Sequence, residues 1–178
     1  MNRLALEQLR IGPDDEALEV GFGGGALLRD LLAATSGPVT GIDVSAAMVA
    51  RARRRFRGIE RLRLVRASVE SLPLERSSID KAASVNNIYF WPDPPAAMAQ
   101  LARVVRPGGA LAICFEPPEE LRKWPGHRYG FRLLEEGEVR SLLGRAGFVA
   151  IRRSEGRGRK PDRFICLTAE RGPAEAAP

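Results

Sequence analysis

A run of glycines stands where a short apolar segment gives way to an amphipathic one. The segment Leu18–Gly25 reads LEVGFGGG, with glycines at 21, 23, 24 and 25. Glycines at such a turn let the backbone approach a ligand closely and present backbone amides and a helix N-terminus to it. In open parallel sheets, ligands bind beyond the carboxyl ends of the strands, which is where this loop falls. The loop predicts a small-molecule site, although a glycine turn alone also fits a plain strand-to-helix connection.

A carboxylate follows the next apolar segment at the spacing of a nucleoside site. Asp43 lies in the segment Gly41–Ser45, 22 positions after Gly21. A carboxylate at the end of a second strand can accept hydrogen bonds from two ribose hydroxyls. The alternative role for Asp43 is to cap the helix that follows. With the glycine loop at this distance, the pair favours an adenosine-type ligand.

Two features help to choose the class of adenosine cofactor. The spacing Gly21-x-Gly23-x-x-Ala26 is a permitted variant of the dinucleotide fingerprint, so a nicotinamide cofactor stays a distant alternative. Glu19, however, lies in an otherwise apolar strand end, where a carboxylate needs a partner, and an ammonium group on the ligand would supply one. The glycines also continue through Gly25, which predicts open space over the loop instead of tight helix packing.

These segments together resemble the class I S-adenosylmethionine-dependent methyltransferases. Five ordered stretches within about residues 15–168 carry the resemblance: the glycine loop, the Asp43 segment, and residues 68–74, 80–109 and 146–148. The resemblance implies an α/β fold, a Rossmann-like three-layer sandwich around a seven-stranded, mostly parallel sheet with an antiparallel last strand. It also implies a transferase that uses S-adenosyl-L-methionine and releases S-adenosyl-L-homocysteine.

Carried over position by position, the resemblance implies a set of cofactor-binding residues: Glu19, Gly21, Phe22, Gly23, Gly25, Asp43, Val44, Met48, Ser68, Val69 and Asn86. The three glycines would contact the methionyl part, with Glu19 near its ammonium and Asp43 on the ribose. Val44, Met48 and residues 68–69 would surround the adenine, and the backbone carbonyl of Asn86 would face the methionyl amine. Ser68 stands where many relatives have Asp, so we expect a weaker or water-mediated adenine contact there. Phe22 is larger than the usual residue.

The sequence constrains the methyl acceptor less. Candidate acceptor-site residues follow the predicted fourth and fifth strands: Asn86, Asn87, Tyr89, Phe90, Trp91, Glu116, Trp124, His127 and Tyr129. A base is needed only if the nucleophile must lose a proton, and the candidates for a catalytic role are His127, Tyr89 and Asn86. His127 fits an exposed loop histidine better than a base. The aromatic run 89–91 fits core packing as well as a substrate pocket.

Composition excludes several classes of protein. The chain has 178 residues, 44% of them hydrophobic, with a single histidine and two cysteines. No apolar run reaches the length of a membrane span, and the first 30 residues lack a signal-peptide pattern. Cys114 and Cys166 are too few and too far apart for a disulfide scaffold or a zinc cluster. We expect a cytoplasmic protein with neither a membrane segment nor a metal site.

The net charge of +6 raises the question of nucleic acid. Basic residues cluster at 51–57 and 152–160, and they fit a solvated surface better than a phosphate-binding one. We therefore expect a small organic acceptor, methylated on oxygen, nitrogen or carbon, with nucleic-acid methylation as the second choice. A binding-only module and an NAD(P)-dependent oxidoreductase are further alternatives. Monomer and homodimer both remain open.

Alternating strand and helix patterns must position these residues. Apolar runs predict strands at 17–20, 39–42, 62–65, 81–85 and 110–115, and a closing hairpin at 148–151 and 163–168. Ser45 and Asp93 are predicted to cap the helices that follow them. We expect one domain over residues 1–169, with a short helix within 1–12, and a disordered tail at 170–178.

Overall fold

The sheet contains seven strands. The computed structural model describes residues 1–124, 130–158 and 163–173. The strands are β1 (Ala17–Val20), β2 (Val39–Asp43), β3 (Leu62–Arg66), β4 (Ile79–Val85), β5 (Val105–Phe115), β6 (Phe148–Gly156) and β7 (Phe164–Arg171). Their order is β3-β2-β1-β4-β5-β7-β6, and only the two pairings of β7 are antiparallel. The predicted sheet and its antiparallel last strand are confirmed.

Helices cover both faces of the sheet. They are α1 (Asn2–Leu9), α2 (Ala26–Ala34), α3 (Ala46–Arg55), α4 (Pro94–Val104), α5 (Pro118–Leu121) and α6 (Glu136–Arg145), with a 3-10 turn over Ile88–Phe90. One apolar cluster joins the sheet to α1, α2 and α3, and a second joins it to α4 and α6. Each strand can alternate its side chains between the two clusters because successive residues point to opposite faces. The three-layer sandwich is confirmed.

Two helices begin in the loops that follow strands at the carboxyl edge of the sheet. Oγ of Ser45 accepts a hydrogen bond from the Met48 amide over 3.3 Å, and Oδ1 of Asp93 accepts one from the Ala96 amide over 3.0 Å. Both residues are the predicted N-caps, and both helices begin on the next residue. Capping fixes the point at which each loop beyond a strand ends.

Some strand bounds differ from the predicted ones. β5 begins at Val105, five residues early, because Val105 already pairs with Ile79 before a bulge shifts the register to Lys81 and Ala110. β7 continues to Arg171 because Glu170 and Arg171 pair with the start of β6. The domain therefore passes the predicted end at residue 169, and residues 174–178 lie outside the described part of the chain.

The two cysteines form a disulfide between neighbouring strands. Cys114 on β5 stands directly opposite Cys166 on β7, and both side chains are buried in the apolar cluster beneath α1. Their separation of 52 residues in sequence gave no sign of this pairing. The antiparallel register brings them together, and sequence analysis, which excluded only a disulfide scaffold, did not predict this single bond. Within the described residues, no helix is long and apolar enough to cross a membrane.

Candidate active site

The glycine loop connects β1 to α2 at the carboxyl edge of the sheet. Gly21 and Gly23 have φ angles of 72° and 46°, in the left-handed region that glycine occupies without strain. The Gly23 amide donates to Oδ2 of Asp43 over 2.9 Å, which ties the loop to the end of β2. A Cβ atom on Gly23 would meet no protein atom within 4 Å. The surface above Gly23 is therefore open to a ligand.

Unlike Gly23, Gly25 is packed closely against a neighbouring side chain. It caps α2 with a φ of 71°, and a Cβ atom there would lie 2.9 Å from the ring of Phe56. The expectation of open space over the whole loop is wrong at this position, because α3 carries Phe56 against it. The fold itself explains why residue 25 is a glycine.

Asp43 occupies the last position of β2, beside the glycine loop. Its two carboxylate oxygens accept hydrogen bonds from the amides of Gly23 and Ser45, each over 2.9 Å. Each oxygen keeps a further lone pair, since an ionised carboxylate has about four acceptor positions. Asp43 therefore helps to position both the glycine loop and the start of α3, and it can still accept from two hydroxyl groups of a ligand.

A cleft of about 120 Å³ opens between the ends of β1, β2 and β3 and the 3-10 turn. Its lining contains five of the predicted cofactor residues: Gly21, Asp43, Val44, Ser68 and Val69. Further lining residues were not assigned to the cofactor from sequence: Val20, Ile42, Ala67, Asn87, Phe90, Trp91 and Pro92. Ala67 follows the end of β3 and Asn87–Pro92 follow the end of β4, so position after a strand was the signal that could have found them.

Two predicted cofactor residues turn towards the core instead. The Phe22 side chain is buried among α2 and α3 residues and comes within 3.0 Å of the Cβ position of Gly41. The side chain of Phe22, a residue predicted in the cofactor-binding set, therefore fills the layer behind the loop and does not line the cleft. Met48 packs against the same apolar cluster and does not line the cleft.

Glu19 is a buried carboxylate with an unsatisfied oxygen. Its side chain lies just before the glycine loop, the residue is 4% exposed, and Oε2 has no hydrogen-bond partner among the described residues. Burial raises the pKa of Glu19 to about 8, with smaller contributions from the charges of Asp43 and Asp30, while a backbone hydrogen bond from Leu28 opposes the rise. A buried, partnerless carboxylate oxygen is costly unless a cation or donor reaches it.

The two asparagines after β4 have separate environments. Asn86 is exposed, has a φ of 56°, and donates its backbone N–H to the Cys114 carbonyl over 2.8 Å. Asn87 covers Gly21 so closely that a Cβ atom on this glycine would collide with the amide group. Oδ1 of Asn87 accepts from Nε1 of Trp91 over 2.7 Å. Asn87 is therefore positioned at the rim where the cleft meets the glycine loop.

Tyr89 is a buried linking residue. Its hydroxyl donates to Oδ1 of Asn86 over 3.1 Å and accepts from the backbone N–H of Glu116 over 2.5 Å. Burial, together with the Glu116 charge, raises the pKa of the Tyr89 phenol, so the phenol stays protonated. Tyr89, one of the candidates for a catalytic role, therefore holds Asn86 and the start of the segment after β5 in position. His127 and Tyr129 lie outside the described residues.

Glu116 is the first residue after β5 and has an unusual environment for a carboxyl group. The residue is only 6% exposed. Burial, and next the charge of Glu120, raises the pKa of Glu116 to about 7. Sequence analysis placed Glu116 among the acceptor-site candidates but not among the catalytic ones, because burial at a strand end is not visible in residue order. A carboxyl group with this pKa can exchange a proton near neutrality.

Part of the basic surface is engaged within the fold. Arg55 donates to the carbonyl of Gly24 over 2.8 Å, and Arg53 donates to the carbonyl of Leu64 over 3.2 Å. In the second cluster, Arg152 pairs with Glu170, and Arg153 pairs with Glu136 and Glu155. Residues 159 and 160 of that cluster lie outside the described residues. These contacts favour the interpretation of the arginines as a solvated surface. Among the described residues, no group of three potential metal ligands comes together.

The chain matches the model of a known family along most of the sheet. The family is described as a methyltransferase domain, and residues 18–113 match it. The chain is also 33% identical over 173 residues to the uncharacterized methyltransferase YdaC of Bacillus subtilis, covering 96% of this chain and 91% of that protein. The chain belongs to the methyltransferase domain family. It is therefore an enzyme that transfers methyl groups.

Two further similarities extend this family assignment. The methyltransferase is 31% identical over 162 residues to the malonyl-[acyl-carrier protein] O-methyltransferase of Halorhodospira halophila, covering 81% of this chain and 55% of that one. Its fold superposes on geranyl diphosphate C-methyltransferase from Streptomyces coelicolor, solved with Mg²⁺, geranyl diphosphate and S-adenosyl-L-homocysteine, with a TM-score of 0.82. That pair shares 14% sequence identity over 96% of this chain and 79% of the other, so the similarity concerns the fold.

Proposed function

We propose that this methyltransferase binds S-adenosyl-L-methionine across the cleft and the glycine loop and methylates a small organic acceptor at the adjoining ends of β4 and β5. One observation carries the proposal: a buried, partnerless carboxylate oxygen on Glu19 stands next to a glycine loop that is tied to Asp43. A ligand with both an ammonium group and a ribose fits this pair, and the methionyl nucleoside has both.

Different residues of the site would bind different parts of the cofactor. Glu19 would compensate the ammonium group, directly or through water, and Asp43 would accept from the ribose hydroxyls. Val44, Ser68 and Val69 line the cleft and would surround the adenine. The open face of Gly23 would accommodate the methionyl chain, whose amine would also meet the backbone carbonyl of Asn86. Neither Phe22 nor Met48 is needed in this arrangement.

In this reaction the protein contributes mainly by aligning the two reactants, and less by supplying reactive groups of its own. A bound sulfonium supplies an activated methyl group, and a nucleophile in line with the breaking bond displaces the thioether. The protein therefore acts mainly by holding both reactants at one angle and by excluding water. The carboxyl edge of β4 and β5 is suited to this because the cleft and the candidate acceptor residues meet there.

A small acceptor is favoured over nucleic acid. The related O-methyltransferase described above is named for malonyl-[acyl-carrier protein], whose methylated part is an acyl group, and the C-methyltransferase of similar fold is named for geranyl diphosphate. Arg152 and Arg153 pair with carboxylates, which reduces the positive charge that this cluster offers to phosphate groups. We also propose a cytoplasmic location and a monomer or homodimer, both on sequence grounds.

Thermal unfolding in the presence of three adenosine-containing ligands tests which cofactor the protein binds. We expect S-adenosyl-L-homocysteine to raise the Tm by roughly 5–10 °C at about 100 times its Kd, and NAD and NADP to leave the Tm unchanged. Asp43→Ala should abolish the shift, whereas Asp14→Ala, which removes an exposed carboxylate near the same sheet, should keep it. A shift with a nicotinamide nucleotide alone would overturn the proposal.

A further inference from the structure

The side-chain amide of Asn87 lies across the first glycine of the loop and forms part of the cleft wall. Asn87, Gly21 and Trp91 all line the cleft. A Cβ atom on Gly21 would collide with Nδ2, Cγ and Oδ1 of Asn87, so the whole amide group lies against the α-carbon of this glycine. A ligand that extends from the cleft onto the glycine loop therefore passes next to this amide.

Trp91 determines which end of the amide faces that ligand. Its Nε1 donates a hydrogen bond to Oδ1 of Asn87 over 2.7 Å. An indole nitrogen is only a donor, so the amide atom facing it is the oxygen. Nδ2 therefore lies on the side away from Trp91, and no residue of the described ranges accepts a hydrogen bond from it. The fold thus fixes the amide and leaves its amino group available to a ligand.

The turn after β4 is held in the conformation that places Asn87 against the loop. Asn86, the residue before it, has a left-handed φ of 56°. Its N–H donates to the Cys114 carbonyl over 2.8 Å, and its Oδ1 accepts from the Tyr89 hydroxyl over 3.1 Å. A non-glycine residue keeps this conformation only where its surroundings enforce it. The position of Asn87 is therefore determined by contacts on both sides of the turn.

The glycine loop uses three of its own amides within the fold. The N–H groups of Gly21 and Gly25 donate to backbone carbonyls over 2.7 Å each, and that of Gly23 donates to Asp43 over 2.9 Å. Loop amides at a helix N-terminus commonly bind anions, but these three are already engaged. An anionic group over the loop therefore needs a further donor. The amino group of Asn87 is such a donor at the start of the loop.

We propose that Asn87 binds the carboxylate of the methionyl part of S-adenosyl-L-methionine through its side-chain amino group, and that Trp91 positions this amide. The inference rests on the proposed function and assigns one more cofactor group to a residue of the same site. The ammonium and carboxylate groups of an amino acid share one carbon atom. Glu19 precedes Gly21 by two residues, so an ammonium group compensated by Glu19 brings the carboxylate to the start of the loop, where Asn87 lies.

Arg55 is a second donor beside the loop and provides the competing assignment. Its Nη1 donates to the Gly24 carbonyl over 2.8 Å, and its guanidinium carbon lies 5.4 Å from the centre of the Phe56 ring. Arg55 does not line the cleft. These contacts hold the guanidinium group on the α3 side of the loop, whereas Asn87 approaches from the β4 side. The two side chains can therefore be tested separately.

Two ligands that differ only in the carboxylate test the proposal with the full-length protein. S-adenosyl-L-homocysteine carries both an ammonium and a carboxylate group, and 5′-deoxy-5′-(3-aminopropylthio)adenosine carries the ammonium group alone. Asn87→Asp keeps an acceptor for Trp91 and replaces the amino group with a charged oxygen. Measured by calorimetry, it should weaken the binding of S-adenosyl-L-homocysteine by about 30-fold or more, without weakening that of the second ligand. Asn87→Ala should weaken the first ligand by about 10-fold.

Three further variants serve as controls and test the role of Trp91. Arg55→Gln should leave both affinities unchanged. Glu19→Gln should weaken both ligands alike, because both carry the ammonium group. Trp91→Phe, which frees the amide to turn, should weaken S-adenosyl-L-homocysteine about 3-fold more than the second ligand. A purely structural role of Trp91 would lower the two affinities by the same factor.

Nuclear magnetic resonance of the wild-type protein tests the contact without any substitution. The chain has three asparagines and two glutamines, so few side-chain amide signals overlap. The Asn87 signal can be identified by its contact with the Trp91 indole proton. We expect it to shift when S-adenosyl-L-homocysteine is added and to shift far less with the second ligand. Equal shifts with both ligands would contradict a bond to the carboxylate.

The outcomes separate this inference from the proposed function. If the wild-type protein binds neither ligand, the proposed function itself fails. If S-adenosyl-L-homocysteine binds and Asn87→Asp weakens both ligands equally, or neither of them, Asn87 does not bind the carboxylate. A selective loss in Arg55→Gln instead of Asn87→Asp would assign the carboxylate to the arginine and overturn the inference.

Discussion

The Tyr89 hydroxyl bridges Asn86 and Glu116, and so joins the ends of β4 and β5. It donates to the Asn86 side chain over 3.1 Å and accepts from the Glu116 backbone. Asn86 is held in a left-handed conformation, which non-glycine residues seldom adopt and which is common at binding sites when the surroundings enforce it. The bridge therefore fixes Asn86 and Glu116 relative to each other at the ends of these two strands.

Replacing Tyr89 with Phe should lower stability by about 1–3 kcal/mol, because the buried N–H of Glu116 loses its acceptor while the ring remains. The matched control is Ser84→Ala, since Oγ of Ser84 is buried and has no partner among the described residues. We expect Ser84→Ala to be neutral or slightly stabilising. Urea unfolding measures both. An equal loss of unfolding free energy in the two variants would show that the Tyr89 bridge contributes nothing to stability.

Glu19 should make the free protein less stable as the pH rises. Its pKa is about 4.5 in the unfolded chain and about 8 in the folded one, so between these values the folded protein binds more protons. The contribution of Glu19 to stability is therefore greatest below the lower value and falls by at most about 1.4 kcal/mol per pH unit above it. Glu116 adds the same slope up to about pH 7. Glu19→Gln should flatten the fall, most clearly between pH 7 and 8, where urea unfolding can be repeated at each pH.

Glu19 should also distinguish ligands by their ammonium group. S-adenosyl-L-homocysteine carries one, whereas 5′-methylthioadenosine has the same nucleoside without it. Measured by calorimetry, Glu19→Gln should weaken the binding of S-adenosyl-L-homocysteine by about 10-fold or more and leave the affinity for 5′-methylthioadenosine unchanged. Equal weakening of both ligands would show that Glu19 only supports the loop.

The order of elements and the edge that holds the site were predictable from sequence because they depend on local patterns. Apolar runs located the strands, and Ser45 and Asp93 marked helix starts through capping that involves only neighbouring residues. The glycine loop and Asp43 were also predictable from their positions, since the loop directly follows β1 and Asp43 is the last residue of β2. Their mutual hydrogen bond is a consequence of β1 and β2 being adjacent.

Residues whose role depends on distant partners were not predictable. Phe22 is buried in the apolar cluster that contains residues of α2 and α3. Gly25 is needed because the ring of Phe56, which caps the end of α3, packs against it. The raised pKa of Glu116 depends on burial and on Glu120, and residue order shows neither the burial nor the distance. Such effects require the packed structure.

The loop glycines should divide into structural and binding positions. Gly25→Ala should cost about 1–2 kcal/mol for the left-handed conformation and more for the clash with Phe56. Gly23→Ala has the conformational cost without a clash, but its methyl group would enter the space above the loop, so affinity for S-adenosyl-L-homocysteine should fall at least 10-fold. Gly24→Ala, at a position without positive φ or close neighbours, is the control and should change neither quantity. A Gly23→Ala protein with unchanged affinity would show that the ligand does not cross the loop.

The disulfide between Cys114 and Cys166 should be detectable by thiol counting. Iodoacetamide added to the unfolded, unreduced protein should leave its mass unchanged, and after reduction it should add two groups. Removing the crosslink in Cys114→Ala/Cys166→Ala should lower stability by about 2–4 kcal/mol, because the bond closes a long loop in the unfolded chain. Cys114→Ala alone removes the same crosslink and keeps one buried thiol, so comparing it with the double variant separates the crosslink from packing. Two groups added without reduction would show that both cysteines are free thiols and would contradict the disulfide.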